Sequence, residues 1–355
     1  MSTINDLPNE VLSKIFSLLR RSHKYKCLLV NRRFYSVAVL ELWESIAIYG
    51  YENDKTARCL GLFCIRIGER VKRLKLGYGP DHLQIICILS YLPNLEELVL
   101  SKTPNLIERE VLQIPKYCKH LESLVLSKLE ISNQSLLSFD QCHLLKRLKF
   151  SSCPYMTPDA LTPFIGLPIE SLTIHECDWI RFTNTALYIR LFSNLIQLDV
   201  DSSLINLAGF LRIITVDDAD MPYLPRLQYF SIGSRTRHRG DLDTAIISFL
   251  KTHPRIRYLK LRFYHISNYV FDAITRYLLD LETFIIRKYT STSAKNARKI
   301  VYLCSKLLYV EIDLIQYTKY DFPEVHHRVR NHRLTLCSND LKRIRANRHT
   351  NIINN

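Results

Sequence analysis

The sequence predicts an α/β fold, a solenoid of stacked strand–helix repeats preceded by a small all-α module. Three observations predict it. The apolar pattern L-x-x-L-x-L recurs ten times from Val71 onward, amphipathic segments of helical period separate the copies, and a compact run of short amphipathic helices over residues 7 to 45 stands ahead of them. No single copy can bury its own apolar stripe, so stacking neighbours into one core is what stabilises such an array.

The helical module comes first in the chain. LPNEVLSKIFSLLRRSHKYKCLLVNRRFYSVAVLELWES opens with Pro8 in the first helical turn, where the missing N–H has no partner to lose. Leu7, Pro8, Glu10, Val11, Leu12, Ile15, Phe16 and Leu19, then Val30, Arg32, Arg33, Phe34 and Trp43, fall in the spacing of the F-box, which this segment resembles. The segment departs from that family where His23-Lys24 replaces Asp-Leu, where Asn31 replaces a Cys, and where Phe34 fills an aromatic slot usually held by Trp. Tyr25 is expected to supply the apolar contact of the missing Leu. The resemblance implies docking to the Skp-type adaptor, and through it the cullin, of a Skp-cullin-F-box ubiquitin ligase. Leu7, Pro8, Val11, Leu12, Ile15, Phe16, Val30 and Phe34 would form the adaptor-binding surface, each apolar side chain contributing roughly 1.5–3 kcal/mol when fully desolvated. The other reading of the segment is a helical cap closing the open end of the repeats.

The repeats follow with little room for a linker. WESIAI sets Trp43, Ile46 and Ile48 in the repeat pattern, an incomplete copy fused to the helices, and DKTARCLGLFCIRIGE offers its helix with an Asp cap. The copies VKRLKL, LEELVL, LESLVL, LKRLKF, IESLTI, LIQLDV, LQYFSI, IRYLKL, LETFII and LLYVEI begin at Val71, Leu95, Leu121, Leu145, Ile169, Leu195, Leu227, Ile256, Leu281 and Leu307, at intervals of 24 to 32 residues. That spacing is the leucine-rich-repeat range, and the fold it implies is a horseshoe. Each L-x-L is a strand with one face buried. NQSLLSFDQC, NTALYIRLF and DLDTAIISFL open on Asn or Asp cap candidates and read as the helices between strands. Cys118, Cys142 and Cys304 stand three residues before a copy, and Cys153 and Cys177 fall eight residues after one, so all five are expected in the core as free thiols. The copies LKRLKFSSCPYMTPDAL and IESLTIHECDWIRFTNTAL resemble the cysteine-containing repeat subtype common in F-box proteins.

The x positions of each strand point away from the core, onto the face that solenoids use for binding. Tyr229, Tyr258, Lys260, Arg262, Ile285 and Arg287 occupy such positions on three consecutive strands with no acidic residue among them, and SRTRHRG adds Arg235, Arg237 and Arg239 at the rim. Arg forks beside Tyr rings suit carboxylates or phosphates, so Tyr229, Arg235, Arg237, Tyr258, Lys260, Arg262 and Arg287 are the candidate substrate-binding residues and an acidic or phosphorylated protein the expected ligand. The plain alternative is a solvated basic face. VDDAD at 216 to 220 reads as a solvated loop. From residue 319 the tail carries eight Lys or Arg against three acidic residues; NHRLTLCSNDLKRIRA repeats the strand–helix logic, with Leu334 and Leu336 as the buried pair and Asn339 or Asp340 starting a helix. A closing repeat and a basic arm for nucleic acid both fit it, the former better. The expected divisions are 1–45, the helical module; 46–318, the repeats; and 319–355, the cap or tail.

The composition excludes several function classes. The chain of 355 residues is 47% hydrophobic and 23% charged, with a net charge of +15 that favours acidic partners. MSTINDLPNE lacks the pattern of a secretory signal and no apolar run reaches membrane-spanning length, which predicts a cytoplasmic or nuclear protein with no membrane partner. No C-x-x-C pair and no phosphate-cradling glycine loop occurs, and His326, His327 and His332 lack zinc-ligand spacing, so no metal or cofactor is expected. His175 beside Cys177 is adjacency in sequence only, which does not make a nucleophile and base converge. Without a convergent catalytic set or a nucleic-acid motif, the reading is a non-catalytic substrate receptor, with an interaction scaffold lacking ligase work as the alternative.

Overall fold

Successive strand starts among the described residues share one device, in which a single carbonyl of the preceding repeat accepts from two successive N–H groups of the next. Lys72 and Arg73 donate to the Glu44 carbonyl at 2.9 Å, Glu96 and Glu97 to that of Lys72, and so on to Leu308 and Tyr309 at Glu282. The computed structural model describes residues 4–49, 65, 67–77, 85–102, 106, 108–181, 183–201, 206–215, 223–234, 241–262, 266–289, 294–314, 319–330 and 333–347. They form two compact units, Met1–Leu145 and Lys146–Asn355.

The first unit begins with helices α1 (Asn9–Ser17), α2 (Arg21–Cys27) and α3 (Arg32–Trp43). Leu12, Phe16, Phe34, Val37 and Ala38 form their core, with Leu7, Ile15, Leu19, Cys27 and Leu28 packed at its edge. The Phe16 and Phe34 rings meet edge-to-face at 5.2 Å. Asn31 caps α3, its Oδ1 accepting from Phe34 N at 2.7 Å, which gives this departure from the family pattern a local role. Lys24 faces Glu41 at 3.6 Å. The expectation for Tyr25 is corrected: its side chain is 44% exposed, because the module's core is already closed by aliphatic residues and Phe34.

One residue, Glu44, separates α3 from strand β1 (Ser45–Tyr49), which pairs in parallel with β2 (Arg73–Gly77), followed by β3 (Glu97–Ser101) and β4 (Ser123–Ser127). Helices α4 (Ile85–Leu89) and α5 (Glu108–Tyr117) lie between them. The helix expected in DKTARCLGLFCIRIGE lies almost wholly outside the described residues.

The second unit contains β5 (Arg147–Ser151), β6 (Ser171–His175), β7 (Gln197–Asp201), β8 (Tyr229–Gly233), β9 (Tyr258–Arg262), β10 (Thr283–Tyr289) and β11 (Tyr309–Leu314), all parallel, with one register shift between β10 and β11 after Ile286. Helices α6 (Thr183–Ile189), α7 (Leu207–Thr215), α8 (Leu242–Thr252), α9 (Asn268–Tyr277) and α10 (Ala294–Leu303) connect them. The inward residues of the strands, from Leu148 and Phe150 to Val310 and Ile312, are at most 2% exposed. Ser152 and Glu176 adopt left-handed φ of 53° and 50° just after their strands. That turn drops Cys153 and Cys177 inward, where their thiols donate to the Ser151 and His175 carbonyls at 3.6 and 3.3 Å.

Two expectations need correction here. After β4 and β5 the connections are 3-10 helices, Asn133–Gln141 and Pro158–Phe164. A 3-10 helix rises about 2.0 Å per residue against 1.5 Å for an α-helix, so each connection covers its length with fewer amino acids. At the other end β13 (Arg333–Leu336) joins β11 antiparallel, and the short β12 (Val329–Arg330) pairs antiparallel with β13. Leu334 and Leu336 are fully buried, but the final helix α11 (Ser338–Ala346) is capped by Cys337, with Asp340 at the third helical position. Arg345 on α11 donates to the Val301 and Cys304 carbonyls at 2.9 and 2.8 Å, satisfying groups left open at the end of α10.

Candidate functional site

Two surfaces are available, one on the helical module and one on the outward faces of the second unit's strands. On the module, Pro8, Val11 and Val30 are exposed, and Leu7 and Ile15 are half-buried at the edge of the core. Leu12, Phe16 and Phe34, expected at an adaptor interface, are corrected: they are 0%, 2% and 6% exposed. Leu12 and Phe16 lie four apart on the face of α1 turned toward Phe34, so the module's own folding uses them. The exposed apolar side chains that sequence reasoning missed are Leu18 and Leu29, 83% and 87% exposed. A signal for Leu29 was present in the run Leu28-Leu29-Val30 directly before the Asn31 cap, since a turn there packs Leu28 inward and leaves the next two outside.

On the second unit the candidate residues Tyr229, Tyr258, Lys260, Arg262 and Arg287 do lie on adjacent strands, with Tyr229 opposite Tyr258 and Arg262 opposite Arg287. The two Tyr rings stack at 3.9 Å between centroids. Arg235 and Arg237, with Arg239, lie outside the described residues, as do VDDAD and His332. Ile285 is 8% exposed and offers little contact area.

No acid stands among the outward positions of β8 to β10, but the patch is not a free basic cluster, because acids on the flanking strands β7 and β11 pair with it. Arg262 Nη2 reaches Asp201 Oδ2 at 2.6 Å, two strands away, and Arg287 Nη2 meets Glu311 Oε1 at 2.9 Å. Glu311 also accepts from Tyr309 Oη at 2.9 Å. Gly233 stands between Asp201 and Arg262 in the register; having no side chain, it leaves the gap through which they pair. His175 Nε2 lies 3.1 Å from Asp199 Oδ2. Burial opposes ionisation of Asp199, but hydrogen bonding and charge from His175, then Ser231 and Lys260, hold its carboxyl below the usual range. Lys260 has the opposite bias: burial first, then Arg262 and Arg287, lower its ammonium against partial support from Asp199 and Asp201. Burial and the Tyr258 hydroxyl push the Tyr229 phenol up. The face therefore alternates acid, aromatic, base and acid across β7 to β11, suiting a ligand with charges of both signs.

Among the described residues no group of three or more His, Cys, Asp or Glu could hold a metal, and no helix is long and apolar enough to cross a membrane. The eight described cysteines form no disulfide. Burial pushes the Cys118 and Cys142 thiols up to about 12 and Cys304 up to about 11, away from nucleophilic use at neutral pH.

Residues 4–49 match the F-box-like family. No curated protein matches the chain. Among solved structures the chain is similar to an internalin of Listeria monocytogenes, at 14% identity over 88% of this chain and 93% of that one, with a TM-score of 0.44. It is also similar to the yeast complex of Rad7 and Elc1, at 16% identity over 87% and 72% with a TM-score of 0.46. A third is the leucine-rich repeat-containing protein LegL7 from Legionella pneumophila, at 11% identity over 85% and 98% with a TM-score of 0.49. The family match covers the helical module alone, an F-box-like segment; the L-x-x-L-x-L register of the strands after it gives those residues a leucine-rich-repeat fold.

Proposed function

We propose that this chain is a non-catalytic substrate-recognition subunit of a Skp-cullin-F-box ubiquitin ligase, acting in the cytoplasm or nucleus. The helical module docks a Skp-type adaptor, and through it the cullin, while the outward strand face holds a protein destined for ubiquitin-dependent degradation. One observation carries the reading: the segment that matches the F-box-like family also leaves Val11, Leu18, Leu29 and Val30 exposed. A cap that merely closed the repeats would present a polar outer face instead. Desolvating these four side chains on an adaptor supplies roughly 1.5–3 kcal/mol each at full burial. On the ligand side the contacts are Tyr229, Tyr258, Lys260, Arg262 and Arg287, with Arg235 and Arg237 at the rim.

The test is affinity purification from cells of three forms, the wild type, a Leu18→Glu, Leu29→Glu variant and a Tyr258→Ala, Lys260→Glu variant. The first variant is expected to lose adaptor and cullin, and the second to keep both while losing the proteins stabilised by proteasome inhibition. Adaptor recovered equally from all three, or from none, contradicts the reading.

A further inference from the structure

The third residue before each L-x-x-L-x-L copy is Leu, Phe, Cys or Gly in every copy but one, where it is His253. The imidazole takes the place that Leu92, Phe192 and Leu278 fill elsewhere and is nearly as buried as they are, at 3% exposure. Its Nδ1 lies 2.9 Å from the Phe249 carbonyl. A carbonyl only accepts, so the ring proton sits on Nδ1 and Nε2 presents a lone pair. Nε2 is buried and has no hydrogen-bond partner among the described residues. Burial lowers the pKa of the ring to about 4, which leaves that lone pair in place at neutral pH. An unmatched acceptor of this kind costs stability wherever it stands, and in this place an apolar side chain would avoid the cost.

His253 lines a half-open cavity of about 280 Å³, together with Leu224, Pro225, Leu227, Thr252, Pro254 and Arg255. Leu224 holds the equivalent place one repeat earlier and adopts a left-handed φ of 54°. The other described non-glycine residues of that conformation, Lys102, Lys128, Ser152 and Glu176, each directly follow a strand; Leu224 precedes one, so the turn of the repeat does not account for it. A left-handed Leu is strained, and such strain gathers where a ligand is clamped. The apolar walls suit a ring, since a cavity of about 150 Å³ already holds benzene. Nε2 adds the demand for a proton donor. A carboxylate would set its own lone pairs against that of Nε2, whereas an ammonium would meet no carboxylate in the lining and the exposed guanidinium of Arg255 beside it. A water there would find few partners besides Nε2. We propose that this cavity binds a small neutral ring compound carrying one hydroxyl, a phenol in its simplest form. Its ring packs on Leu224, Leu227 and the two prolines, and its O–H donates to His253 Nε2. The site uses no residue of the helical module or of the outward strand face and is independent of the receptor reading above.

The experiment is an NMR titration of the full chain, its histidine rings labelled with nitrogen-15, by phenol and separately by anisole, whose ether oxygen has no proton to donate. Phenol is expected to bind saturably and to shift one histidine Nε2 resonance, which anisole leaves in place. The same titrations of His253→Phe should show that resonance gone and the preference for phenol over anisole lowered about tenfold. This variant is expected to melt no lower than wild type without ligand, because Phe192 fills the same place in another repeat and the Phe249 carbonyl keeps its bond from the backbone N–H of residue 253 at 3.1 Å. No saturable binding of phenol, an Nε2 resonance unmoved at saturation or moved equally by anisole, or an unchanged preference in His253→Phe would overturn the proposal. The wild-type shifts decide the matter by themselves should the variant not fold.

Discussion

A Cβ built on Gly233 would lie 2.8 Å from Asp201 Oδ1 and 2.9 Å from Arg262 Nε, so alanine there has to part the ion pair that crosses β8. The side chains of that pair are only 13% and 21% exposed, and Gly233→Ala is expected to cost about 1–3 kcal/mol in urea unfolding; an unchanged midpoint would show that the pair contributes nothing. His253 makes a second prediction. Its ring stacks on Phe249 at 4.2 Å with Nδ1 2.9 Å from the Phe249 carbonyl, and burial lowers its pKa to about 4 against partial support from that carbonyl. The unfolded chain takes up this proton near pH 6.5 and the native chain near 4, so stability present above 6.5 is lost progressively as pH falls toward 4. The loss is on the order of 3 kcal/mol in all. Comparing urea unfolding of wild type and His253→Asn between pH 7.5 and 4.5 checks this, because the variant should lack that part of the slope. The buried cysteines were legible in the sequence because they occupy repeat positions. The ion pairs were not, since Arg262 finds its partner 61 positions back and past an intervening strand whose glycine has no outward marker.

At the scale of elements, strands were easier to read than the connections between them. The alternation of Leu98 and Leu100, or of Leu172 and Ile174, has no other solution than a half-buried strand. NQSLLSFDQC carries the same apolar spacing whether it winds as α or 3-10, so the pattern alone does not choose between them. The last repeat also kept its pattern while changing its pairing: Leu334 and Leu336 alternate as before, yet β13 runs antiparallel to β11. Asp340 holds this closing element. It is 2% exposed and accepts from Cys337 N at 3.0 Å and Cys337 Sγ at 2.9 Å, with Arg328 Nε at 2.9 Å. Burial opposes its ionisation, and the Cys337 hydrogen bonds followed by Arg328 hold its carboxyl below the usual range. Asp340→Ala removes a cap and strands the Arg328 charge, at an expected cost of about 2–4 kcal/mol. Hydrogen exchange should then accelerate over residues 333–347 before the rest of the second unit; uniform acceleration would contradict a local role.

For the molecule as a whole, the net charge of +15 steers association with acidic partners but does not select one, and selection falls to the two surfaces. The module's docking face was only partly legible. An amphipathic pattern marks which residues are apolar, but three short helices can turn Leu12, Phe16 and Phe34 inward only by leaving Leu18 and Leu29 outside, and that partition depends on tertiary packing. The central claim is that these outer residues bind an adaptor. Titrating purified Skp-type adaptor into the full chain measures it directly. Saturable binding by wild type is predicted, with at least about a hundredfold loss in Leu18→Glu, Leu29→Glu from the buried apolar area forfeited, at an unchanged melting temperature. Equal affinity for both forms, or no binding by wild type, would contradict it.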